Sequence, residues 1–147
     1  MQEFLSNKVL IAAFWGWFIA QGLKIIAEYF RIKKIDFSRM VGSGGMPSSH
    51  SALVTSLTTA IAITEGLDSS MFALSFGFAA IVMYDASGVR LAVGVQARIL
   101  NQILQDAQNH KFKAEKLKEL IGHTPIQVYA GGILGVIIAL VYLKVLN

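Results

Sequence analysis

The sequence predicts an all-α protein, a polytopic membrane helical bundle with about four spanning helices, the third long or bent. Three observations carry that reading. The chain is 54% hydrophobic and only 15% charged over 147 residues. Its mean hydropathy is +0.57, more apolar than a soluble domain of this length requires. The apolar residues also gather in blocks rather than spreading along the chain.

The first block runs from Val9 to Phe30, broken only by Gln21, Lys24 and Glu28. The last runs from Ile126 to Leu146. Both reach the roughly 20 residues that a spanning helix needs. Ser51 to Ile63 and Met71 to Met83 reach that length only with their small and hydroxyl residues included. One integral membrane domain over residues 1–147 is expected. The first apolar run is too long for a signal peptide and lacks a small-x-small cleavage site, so it is expected to stay as an anchor.

The first helix is expected from Lys8 to Arg31, followed by a basic loop with Arg31, Lys33, Lys34 and Arg39. Gly42-Ser43-Gly44-Gly45 breaks helical structure. The second helix starts near Pro47, a residue suited to a first turn, with Ser48 or Ser49 as cap. It ends near Glu65-Gly66. Ser69 or Ser70 then caps a third helical pattern that continues to about Leu104. At 1.5 Å per residue that is too long for one perpendicular span, so it bends near Ser87-Gly88 or projects from the membrane. A polar stretch from Gln105 to Glu119 precedes the last helix at Thr124-Pro125. Gly131 and Gly135 in that helix have the G-x-x-x-G spacing of close helix packing.

The loops after the first helix and before the last are basic, and the loop between the second and third is acidic. The positive-inside rule assigns both basic loops to the cytoplasm. Basic residues kept for phosphate would leave the same signature. Alternation of four spans brings Lys24, Arg39, His50, Arg90 and His123 to one side of the membrane.

Those residues are the chemistry-capable ones. His50 follows Pro47-Ser48-Ser49 at a helix start, where free N–H groups and the helix dipole attract phosphate. It can donate a proton to a leaving oxygen, or it is an interfacial histidine beside a cap. His123, at the next helix start, can attack phosphorus. Gln127 lies four residues on, on the same face, able to accept from the other ring nitrogen; the pair also fits an ordinary polar helix start. Arg90 lies near membrane depth, where arginine is costly and matches phosphate oxygens bidentately; pairing with Asp85 is the structural alternative. Lys24 either binds phosphate or pairs with Glu28. Gln21, Asp85, Gln96 and Asn101 either line a polar cavity or hold helices together. The third histidine, His110, lies in the polar loop.

With no cysteine, no H-E-x-x-H and no clustered carboxylates, no metal and no cofactor are expected, though Asp85 leaves a small opening for a cation. The net charge of +4 fits membrane orientation and anionic headgroups. No nucleic-acid module is visible, so nucleic acid is not an expected partner.

Four stretches together resemble the divergent bacterial and plant branch of the type 2 phosphatidic acid phosphatase superfamily. They are Gly-Gly-Met-Pro-Ser-Ser-His-Ser-Ala (44–52), Met-Tyr-Asp-Ala-Ser-Gly-Val-Arg (83–90), Gln96-Ala97 with Leu100-Asn101, and Leu-Ile-Gly-His-Thr-Pro (120–125). The superfamily also contains vanadium haloperoxidases. The resemblance implies a phosphatase with a phosphohistidine intermediate, His123 as nucleophile and His50 as general acid. It implies phosphate contacts from Lys24 or Lys33, Arg39, Ser48, Ser49 and Arg90. Three positions depart from the pattern: Ser49 replaces a glycine, Leu117 an arginine, and Gln127 the carboxylate expected four residues after the nucleophile.

The expected function is therefore hydrolysis of a lipid phosphate or diphosphate, such as a polyprenyl diphosphate, in a bacterial cell membrane. The alternative is a non-catalytic membrane protein that binds or transports phosphorylated lipids, which Gln127 favours. Four short helices leave little room for a closed pocket, so a homodimer is open.

Overall fold

The computed structural model describes residues 6–33, 45–107, 117 and 122–145. Five helices make up this part of the chain: α1 Lys8–Ile32, α2 Ser49–Glu65, α3 Ser70–Ser87, α4 Val89–Ala107 and α5 Pro125–Val145. Arg39, Lys34 and His110 lie outside the described residues.

Each start has a local cause. Asn7 Oδ1 accepts from the Val9 and Leu10 N–H groups and caps α1. Ser48 Oγ accepts from Ser51 N–H and caps α2. Pro47 therefore precedes the cap rather than occupying the first turn, because the Ser48 hydroxyl has taken the donor that begins the helix. Ser69 caps α3 through Phe72 N–H. The long third pattern breaks at Gly88, whose N–H closes α3 on the Tyr84 carbonyl. Ser87 Oγ donates back to the Met83 carbonyl in the same turn.

Three helical stretches are long and apolar enough to cross a membrane: Lys8–Phe30, Ser70–Gln105 and Pro125–Val145. The second of these, 36 residues long, is the α3–α4 pair with its break. α2 has 17 residues, about 26 Å of helix. It is shorter and richer in hydroxyls because α1, α3 and α5 surround it and shield it from lipid. Its hydroxyls tie it to all three neighbours. Ser56 Oγ donates to Ala12 O of α1, Thr58 Oγ1 to Ser75 O of α3, and Thr55 Oγ1 to Gly132 O of α5. Such bonds hold helices together where burial from water gives no drive.

Small residues make the close approach possible. Ala12, Ala60 and Ala139 are fully buried together. A Cβ on Gly135 would lie 2.3 Å from the Ala52 carbonyl oxygen, so the G-x-x-x-G pair of α5 does pack on a neighbouring backbone. The large apolar groups point outward instead. Phe14, Phe18, Ile81, Ile126 and Ile133 are all more than half exposed. A surface of that kind is suited to lipid. Trp15 and Trp17 also lie on this outer surface.

Candidate active site

The site forms at one end of the bundle, where the second half of α1, the start of α2, the α3–α4 break and the start of α5 meet. Its anchor is Gly122, with φ +97°. A Cβ there would lie 2.4 Å from Leu91 N and 2.5 Å from Arg90 C. Only glycine both adopts this backbone and sits so close to the α3–α4 junction. The next residue, His123, donates its backbone N–H to Ala86 O at 3.0 Å. The imidazole is thereby fixed to the end of α3 before α5 begins.

Gln127 then sets the ring's state. Its Oε1 accepts Thr124 N–H at 3.1 Å and lies 3.3 Å from His123 Nδ1. A backbone N–H donates only, so the Gln127 atom facing it is the oxygen. An amide oxygen accepts only, so Nδ1 carries the proton and Nε2 the lone pair. His123 is 1% exposed, and its Nε2 has no hydrogen-bond partner among the described residues. Burial, aided by the Lys24 charge, outweighs the Gln127 bond and the nearby Gly45 backbone, and lowers the His123 pKa to about 4. The ring is a neutral base.

His50, the second residue of α2, is exposed and faces it. The two ring centroids are 6.4 Å apart, with planes at 63°. The charges of Arg90, Lys24 and Asp85 all act on His50. Lys24 is 5% exposed and donates from Nζ to Ser49 Oγ at 3.0 Å. The α2 start is locked to α5 as well. Ser48 N–H donates to Gln127 O at 3.0 Å, and a Cβ on Gly131 would lie 2.2 Å from Ser48 O. A Cβ on Gly45, whose φ is +94°, would lie 4.0 Å from the Lys24 stem.

The expected residues divide clearly. Lys24, Ser49, His50, His123 and Gln127 come together. Ser48 is fully buried, and its hydroxyl accepts from the Ser51 N–H and hydroxyl and so holds the turn. Arg90 Nε is paired with Asp85 Oδ2 across the Gly88 break; this is the structural alternative, although the Arg90 charge still reaches His50. Asn101 is buried on α4. Its amide donates to Leu117 O at 2.8 Å and its oxygen accepts Leu117 N–H at 2.9 Å, a two-bond clamp on a distant backbone. Gln96 is exposed on α4, and Gln21 is half-buried one turn before Lys24. Lys33 is the exposed left-handed end of α1. The Ala86 carbonyl and the Gly122 and Gly45 backbones were not legible as site parts; only their glycines hinted at it.

A family model described as the divergent PAP2 family matches residues 5–138. An uncharacterized membrane protein of Bacillus subtilis (strain 168), YuiD, is 42% identical over 151 residues, covering 95% of this chain and 96% of its own. No solved structure matches.

Proposed function

The chain belongs to the divergent PAP2 family of membrane proteins, and from that premise we propose that it hydrolyses a lipid phosphate or diphosphate through a phosphohistidine. The observation that carries the reading is the unpartnered, buried Nε2 of a neutral His123 facing His50. The Nε2 lone pair forms the N–P bond as the P–O bond to the lipid breaks. His50 gives its proton to the departing lipid oxygen. Water then attacks phosphorus and yields a proton to His50, and the N–P bond breaks to release phosphate. Lys24 supplies positive charge in a dry setting, where it acts strongly on phosphoryl oxygens. Arg90 adds to that field from beyond its pair with Asp85.

Gln127 offers a dipole where a carboxylate would offer charge, so the phosphohistidine gains less stabilisation than a carboxylate partner would provide. That favours, as a second reading, a protein that binds or moves phosphorylated lipids without turnover. Phosphate release from a panel of lipid phosphates in detergent separates the two. The proposal expects release by the unaltered chain and none by H123A. Equal release by both would remove His123 from the chemistry.

A further inference from the structure

An apolar groove of about 520 Å³ runs along α2 between α3 and α5. Its lining runs from Thr55 to Ala62 on α2 and from Phe72 to Met83 on α3, with Leu67 between the two helices and Val136 from α5. That volume is in the range of ligand pockets, which are mostly apolar. The groove excludes both histidines but begins close below them. Thr55 is five residues, about 7.5 Å of helix, past His50. Met83 is three residues before Ala86, whose carbonyl holds His123. Two of the lining threonines lose their polarity to the fold. Thr55 bonds to the Ser51 and Gly132 carbonyls, and Thr58 to those of Val54 and Ser75. Their hydroxyls are spent on the backbone, which leaves methyl groups for the groove. Gly132 keeps the rim open, since a Cβ there would meet Met83 Cε at 3.3 Å.

A second apolar hollow, of about 310 Å³ between α1 and α5, starts on α5 at Ile137, 14 residues past His123. On α1 it reaches Ile19, five residues before Lys24, but no residue of α2 or α3, the helices that carry His50 and the Ala86 carbonyl, lines it.

We infer that the α2–α3–α5 groove seats the alkyl chain of the phosphorylated lipid whose headgroup lies between His50 and His123. This rests on the proposed lipid-phosphate reading of that site. In a bilayer the chain is already out of water, so the groove gains little from hydrophobic transfer. Its role is to orient the chain so that the phosphate meets Nε2.

The test uses the full chain in phosphatidylcholine nanodiscs. One photoreactive lipid carries a monophosphate head and a diazirine near the end of a long saturated chain; its control ends in a hydroxyl instead. After illumination, labelled peptides are mapped and phosphate release is measured in the same samples. The inference expects the phosphate form to label the groove between Leu67 and Ala80 roughly fivefold more than the alcohol, a preference of about 1 kcal/mol. A80W, which fills the groove from an exposed position, should remove the excess. Equal labelling by both lipids, or labelling centred on Trp15 and Tyr142, overturns it. Release without groove preference overturns the groove and leaves the phosphatase standing. Groove preference without release does the reverse.

Discussion

Gln127 reaches back across one turn to His123, and the same oxygen accepts the Thr124 backbone N–H. This is a capping-box arrangement in which the third residue of α5 serves the helix and the imidazole together. Replacing Gln127 should therefore separate two effects. Q127E keeps the acceptor and adds charge, so it should raise turnover and raise the His123 pKa. Q127L loses the acceptor for both groups. It should abolish turnover and destabilise the start of α5 by about 1 kcal/mol. Phosphate release and thermal unfolding measure the two. Higher release from Q127L than from the unaltered chain would contradict this coupling.

The low His123 pKa has a sign that can be tested. Its folded value is about 4, below the ordinary 6.5. The unfolded chain therefore binds this proton more readily than the folded one. The associated stability is fully present above about pH 6.5 and is lost as pH falls toward 4, on the order of 3 kcal/mol in all. His123 should remain a competent nucleophile down to about pH 4. Ring NMR of isotopically labelled histidine, with H123N to assign the signal, gives the value. Titration near 6.5 in the folded state would contradict the buried geometry.

Glycine positions should differ sharply. Gly122 has a positive φ and no space for a Cβ against the Leu91 backbone. G122A should cost at least about 2 kcal/mol through strain and displacement. Gly22 and Gly77 lie inside helices with nothing within 4 Å of a Cβ. G22A and G77A should be neutral or stabilising by up to about 1 kcal/mol. Thermal unfolding in detergent ranks them. Equal tolerance at all three would contradict the tight contact at the α3–α4 junction.

Lys24 is buried in α1 with Ser49 as its bonded neighbour. K24M keeps the stem and removes the charge. It should lower kcat/KM by about 100-fold, the scale of losing one electrostatic contact in a dry site, with helical content retained. A loss under threefold would take Lys24 out of phosphate binding.

Much of this arrangement is legible in the residues. Blocks of apolar residues locate the helices, and Ser48, Ser69 and Gly88 mark starts and breaks. The alternation of spans brings Lys24, His50 and His123 to one end. What escapes the sequence is what depends on exact approach. Asn101 reads equally as a cavity residue or a clamp, and only the Leu117 backbone decides between them. Arg90 reads as a phosphate ligand or an ion-pair partner, and its pairing with Asp85 across the Gly88 break is seen only in the structure. The centrality of α2 is also hidden, because its hydroxyls look like weak hydrophobicity until their carbonyl partners are known.

The central claim is that His123 Nε2 takes the phosphoryl group. The most direct measurement is a rapid acid-free quench with a lipid carrying radioactive phosphate, followed by mapping of the labelled peptide. The account predicts an acid-labile, alkali-stable label on the peptide containing His123, absent in H123N and accumulating in H50A when the leaving group is good enough to need no proton. Turnover with no label on that peptide, or the same label in H123N, would contradict it.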